Sequence, residues 1–423
     1  MHALTRSRRW LARRVERARA CTHRWLTAAC LTGVTLQAGA GAAAPDERFV
    51  TYLTQHAQAL DLQDPRPRWD DDFLSGRLFI VGEVHGIADG QLIDLALLRA
   101  LHRQAGVRTY LGEFDFVQAS AFNRFLDSGR LDLLKPVFDA WRQRGLQWAS
   151  RDFHRKLVEI RAWNRSLPAS QRIRFVGADE VHDMPSACRY LAQRVPARPA
   201  TEAGRALRQR VTSADCTQPG SLARAASDAL RAQDAALARA GLGPALQALA
   251  VEAAHADRSE RMAAHAMRYF SRADAAPAYG LWGIAHAVQA QVNGEAPLAL
   301  RLLQQGIAVR SLLIMNVRAR MMIPEQQAGG EISYGELPYT LDSADAVLLN
   351  GIEDLKAAAV ARVTLFNLQA PGSPYAGHAA LTRAGGRWGE AQPFSIDVRT
   401  AGPRGWVQSV ILSSGSAATQ AWP

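Results

Sequence analysis

The sequence predicts an α/β fold, a largely parallel sheet flanked by helices, and three observations carry that prediction. Short, nearly continuous apolar runs alternate with segments of helical period, the pattern of strands buried on both faces by crossover helices. Four of six such runs end in Glu, Asp or His, where a parallel sheet presents its ligand-binding edge. The 423 residues are 48% hydrophobic and 21% charged, a globular composition with ample chain to bury a core.

Residues 1–44 read as a secretory signal segment. Eight Arg between Arg6 and Arg24 precede a charge-free stretch from Trp25 to Pro45, and Ala42-Ala43-Ala44 offers a cleavage site. An uncleaved anchor is the alternative, since about 20 charge-free residues just span a bilayer. The Gly, Thr and Gln in the stretch favour cleavage. The chain is thus expected to be exported, periplasmic or secreted, from a bacterium, with no stable membrane span afterwards.

Residues 45–330 form the expected core. Leu78-Phe79-Ile80-Val81 leads into Glu83 and His85. Val107 to Leu111 leads into Glu113, Ile173 to Val176 into Asp179, and Tyr279 to Ile284 into His286. Val309–Met315 and Ala346–Leu349 are strand candidates without such an ending. Leu92, Leu95, Leu98 and Leu101 mark one face of a helix, as do Phe153, Leu157, Ile160 and Trp163. Residues 186–275, rich in Ala, Arg and Leu, read as a helical insertion able to roof a pocket, with Leu246–Phe270 as one long helix. Residues 331–423 read as a mixed, β-like region packing on the core, with short runs at 363–366, 394–398 and 407–412 and a frayed tail from Ser413.

The net charge of +11 resembles a nucleic-acid signal until it is located. Residues 1–44 hold eight Arg against one Glu, +7 of the total. Only Lys135, Lys156 and Lys356 are lysines, and no basic stripe with interleaved aromatics appears, so no nucleic-acid partner is expected. After signal removal two cysteines remain. Cys188 and Cys216 leave two alternatives open: a disulfide closing a surface excursion, or two unrelated buried thiols.

Glu83 and His85 lie two apart beyond a strand, so both can project to the same side of the rim. A carboxylate beside an imidazole holds one tautomer and raises its basicity, which suits activation of water. Glu113 and His286, from other strand ends, can join them in one pocket. Asp179 is a further pocket candidate; Glu180 and Asp183 read as solvated. Arg258 lies on a later helix, where an inward guanidinium would bind a substrate carboxylate or carbonyl oxygen. His255 and His265 are too far apart to share a ligand. No Gly-x-Ser-x-Gly elbow, P-loop, dinucleotide fingerprint or HExxH zinc motif is present.

In their order these motifs resemble the erythromycin-esterase-like family, within a superfamily that includes haem-binding ChaN-like and Tiki/TraB-like proteins. The resemblance rests on Phe79-Ile80-Val81-Gly82-Glu83-Val84-His85-Gly86, Tyr110-Leu111-Gly112-Glu113, Phe175-Val176-Gly177-Ala178-Asp179, Arg258-Ser259-Glu260-Arg261-Met262-Ala263 and Leu281 to Val288. It covers roughly residues 75–320. The single residue between Glu83 and His85 is closer to the ChaN-like branch. The resemblance implies hydrolysis of an ester or related carbonyl in a small-molecule substrate, with Glu83, His85, Glu113 and His286 around an activated water. No cofactor is expected on that reading. The Tiki-like branch implies instead a metal-dependent peptidase or amidase with the same four residues as ligands. The ChaN-like branch implies haem binding without catalysis.

Overall fold

The computed structural model describes residues 44–423 except 219, 344–346, 376–380, 382–383, 386–395 and 403. The signal segment up to residue 43, Ala346 and Phe394-Ser395 lie outside the described residues.

Eight strands form the main sheet: β1 (Ala57–Ala59), β2 (Leu78–Glu83), β3 (Thr109–Gly112), β4 (Arg174–Gly177), β5 (Ala278–Gly283), β6 (Val309–Val317), β9 (Val363–Asn367) and β10 (Ser409–Ser414). Between β6 and β9 the chain forms an antiparallel hairpin, β7 (Ala319–Gln326) and β8 (Ile332–Tyr339). The strand order is β1-β9-β10-β6-β2-β5-β3-β4, with β10 through β4 parallel and β1 and β9 antiparallel at one edge. The expected α/β fold with a largely parallel sheet is what the chain adopts.

The apolar runs explain the layering. In β2, Leu78 and Ile80 face one core while Phe79 and Val81 face the other, and all four are fully buried. One face is covered by α1 (Glu47–His56), by α10 (Arg258–Phe270) and by Leu298–Gln304; the other by α2 (Ala88–Ala105), α3 (Phe116–Ser128), α4 (Lys135–Gln143) and α5 (Arg151–Ser166). Gly106, in the left-handed region at φ 68°, ends α2. Asp115 opens α3 with a capping box to Gln118.

The helical insertion has its own apolar core. In it pack α6 (Met184–Ala192), α7 (Glu202–Thr212), α8 (Ser221–Arg231) and α9 (Gly243–Ala254), through Leu191, Leu207, Leu222 and Leu249. The disulfide alternative is the one adopted: Cys188 of α6 is bonded to Cys216, 28 residues away. Helix α10 instead buries Met262, Ala266, Tyr269 and Phe270 in the core on the sheet.

Several expectations are corrected. Leu246–Phe270 is two helices, because His255 is extended and the Asp257 side chain accepts the Glu260 amide, starting α10 anew at Arg258. His255 and His265 therefore sit on different elements. Leu92 is exposed, and Ile93 and Leu97 join Leu98 and Leu101 on the buried face of α2. Val347–Leu349 joins a small separate sheet. The C-terminal region supplies two strands of the main sheet. Nor is the tail frayed: Ala417, Gln420 and Trp422 hydrogen-bond through their backbones to Ala88, Arg151 and Ala149, and the Trp422 ring packs on Phe138 and His154.

Candidate functional site

The carboxyl ends of β2, β5, β3 and β4 lie side by side, so residues distant in sequence converge there. Glu83 ends β2 and is buried; its Oε1 lies 3.1 Å from His85 Nδ1. With Nδ1–H donated to Glu83, Nε2 is the free acceptor, 3.8 Å from Glu113 Oε2. The His85 ring packs on Trp148, centroids 4.2 Å apart. Glu83 Oε2 lies against the first turn of α2, where Gly90 leaves room: a Cβ there would sit 1.9 Å from that oxygen.

Glu113 is the hub. Its Oε1 accepts from Arg258 Nη2 at 2.9 Å and lies 3.5 Å from His286 Nε2; its Oε2 accepts the Gly283 amide at 2.8 Å. Arg258, at the first position of α10, also grips Asp179 through Nε and Nη2, at 3.0 and 2.6 Å. Its Nη1 carries no hydrogen bond among the described residues. Asp179 further accepts from His182 Nε2 at 3.0 Å. All six residues singled out in the sequence, Glu83, His85, Glu113, Asp179, Arg258 and His286, thus form one connected cluster.

Charge follows from these contacts. Burial lowers the His85 pKa, but the Glu83 hydrogen bond and the charges of Glu113 and Glu83 outweigh it, leaving His85 above the usual imidazole value. Burial also raises Glu83, against the pull of His85. Burial would raise Glu113 too, yet His286, Arg258 and His85 hold it well below the carboxylate range. Asp179 is likewise depressed, burial being overcome by Arg258 and His182.

Other polar residues settle differently from the sequence reading. Glu180 is ion-paired to Arg261, and Asp183 caps α6 by accepting the Ser186 amide. Among the described residues, no group of three or more His, Cys, Asp or Glu side chains is placed to hold a metal ion. Arg258 neutralises Glu113 and Asp179, while Glu83 gives Oε1 to His85 and keeps Oε2 buried beside Gly90, with no hydrogen-bond partner among the described residues. Nε2 of both His85 and His286 faces Glu113.

Sequence reasoning missed the wall around His85. Gln147 and Trp148 precede α5 with no strand or helical period to mark them. Gln147 Nε2 bonds the carbonyls of His85 and Met322, and the Met322 amide bonds the Gly86 carbonyl, tying the β7–β8 hairpin to the His85 loop.

No protein-family model matches the chain, and no curated protein matches its sequence. Solved structures do resemble it. A Bacillus cereus protein superposes with a TM-score of 0.60 at 13% identity, covering 88% of this chain and 98% of its own. A succinoglycan biosynthesis protein matches with TM-score 0.60, 11% identity and the same coverage. An erythromycin esterase mutant, EreC in its open conformation, matches with TM-score 0.55 and 14% identity over 82% of this chain and 92% of that one. At such identities the likeness is one of fold, and the fold of this chain is that of the erythromycin esterase structure.

Proposed function

We propose that this protein is an exported hydrolase that cleaves an ester or related carbonyl bond in a small-molecule substrate, with His85 as general base on water. The observation that carries this reading is the Glu83–His85 pair. Glu83 holds Nδ1 at 3.1 Å, so Nε2 presents its lone pair beside Glu113 at the sheet edge. Glu113, kept ionised by His286 and Arg258, accepts from the same water. Arg258 Nη1 is the donor left for a substrate oxygen. The Cys188–Cys216 disulfide supports the export reading, since such bonds persist in oxidising compartments.

A panel of esters and lactones tests the reading. Turnover by wild type is expected, with a loss of about 10²-fold or more in His85→Ala, the usual contribution of a general base. An unchanged circular dichroism spectrum would show the fold intact. Turnover should survive chelation. Hydrolysis retained in His85→Ala overturns the assignment.

A further inference from the structure

Gly90 is the third residue of α2, and its backbone stays outside the left-handed region, so conformation does not call for a glycine there. Helix propensity argues against one, because alanine is more favourable inside a helix. What excludes a side chain is the Glu83 carboxylate. Outside its own helix, the three heavy atoms nearest a Cβ at Gly90 are Glu83 Oε2 at 1.9 Å, Cδ at 3.1 Å and Oε1 at 3.9 Å. With that carboxylate removed, nothing else outside the helix would stand within 3.9 Å of a methyl group at 90. The carboxylate itself is tied at one end only. Oε1 lies 3.1 Å from His85 Nδ1, while Oε2 is buried with no hydrogen-bond partner among the described residues. No donor fixes Oε2, so its contact with the first turn of α2 does. That turn is the positive end of the helix dipole, which favours an ionised carboxylate beside it. To reach ordinary van der Waals distance from a Cβ, Oε2 would have to move roughly 1.5 Å, and Oε1, on the same planar group, would leave its line to Nδ1.

We propose that Gly90 is a positioning residue for the general base: having no side chain, it seats the Glu83 carboxylate against α2 and so keeps Oε1 on His85 Nδ1. The catalytic consequence rests on the hydrolase reading; the seating itself does not. Gly90 touches neither substrate nor reacting atoms and acts through Glu83 alone. A methyl group at 90 turns the carboxylate aside, and Nδ1 loses the acceptor that fixes its proton. The imidazole is then free to swing and to change tautomer, and Nε2 no longer presents its lone pair at the sheet edge. Burial lowers the His85 pKa and the Glu83 hydrogen bond raises it, so loss of that bond lets the pKa fall. Glu113 and Arg258 also act on His85, and Lys156 and Asp94 on Glu83; none of these four is altered in the variants below.

The test is a double-variant cycle of wild type, Gly90→Ala, Glu83→Ala and the two combined, read by ester turnover, Tm and NMR titration of the His85 ring. Gly90→Ala is expected to lose about 10²-fold in kcat, the cost of a misplacement of about 1 Å, with KM unchanged. Its His85 titration midpoint and its Tm should both fall. In the Glu83→Ala background the same substitution should cost no further activity, leave the midpoint where Glu83→Ala put it, and raise the Tm through helix propensity. A glycine needed only for the fold of α2 would lower the Tm in both backgrounds and leave the His85 titration in place, and that result overturns the proposal. Wild-type titration and turnover in Gly90→Ala, with His85→Ala inactive, overturn it while leaving the hydrolase reading standing. If Gly90→Ala alone does not fold, a folded double variant supports the clash with Glu83, and an unfolded one overturns it. If no ester turns over, the hydrolase reading fails, and titration and Tm alone decide whether Gly90 seats Glu83.

Discussion

His85 is the residue on which the pH dependence turns. Its pKa lies above the ordinary value of 6.5: burial works against the shift, and the Glu83 hydrogen bond and Glu113 charge prevail. A base must be unprotonated, so kcat/KM should fall as pH drops through that raised pKa, placing the acid limb above pH 6.5. Glu83→Gln removes the charge beside Nδ1, and the limb should then move to lower pH while the rate falls. A pH profile of both proteins checks this; an unmoved limb would mean that another group controls it. By linkage, the same shift contributes stability below pH 6.5 that is lost as pH rises through the folded-state value. Glu83, His85, Glu113, Asp179 and His286 were legible as site candidates because each ends a strand. Trp148 was not. A tryptophan on a loop carries no pattern in one dimension.

At the scale of elements, the helical insertion depends on its staple. Helices α6–α9 pack largely among themselves, with Cys188 and Cys216 inside that cluster. A crosslink spanning 28 residues restricts the unfolded chain by about 3–4 kcal/mol on a loop-entropy estimate. Cys188→Ser with Cys216→Ser should therefore lower the Tm and raise hydrogen exchange in α6–α9, with β2–β5 little changed. Uniform loss of protection would show the insertion and the sheet unfolding as one unit. The break between α9 and α10 belongs to this scale too. Apolar periodicity runs through it, and the single Asp257 cap that starts α10 does not interrupt that pattern. Only this break puts Arg258 in the first turn of a helix, within reach of Asp179 and Glu113.

At the scale of the whole molecule, a charged network runs through the interior beneath the site. Lys156 Nζ lies 2.5 Å from Asp94 Oδ2, and both side chains are at most 2% exposed. Tyr110 and Tyr279 donate their hydroxyls to Asp94 at 2.8 and 2.7 Å. The network joins α2, α5, β3 and β5, so it sets how two helices sit on the strands that carry Glu113 and Gly283. Removing one partner leaves a buried charge unpaired, and Lys156→Met should cost about 3–5 kcal/mol in denaturant unfolding. Adding Asp94→Asn should recover much of that loss, since no bare carboxylate remains. A double variant no more stable than the single one would contradict this account.

Local physics determined much of this protein from its sequence alone. Apolar runs of strand length between helix-period segments specify a buried parallel sheet, and their polar ends mark its functional edge, because both signals are written in neighbouring residues. Tertiary structure alone decided which strands adjoin, that the C-terminal strands complete the sheet, and that Arg258 clamps two carboxylates. Those outcomes depend on contacts between residues far apart in the chain, such as Glu113 with Gly283 and Arg258, 170 and 145 positions away. Such pairs are selected by packing and charge compensation in three dimensions, which no periodicity along the chain records.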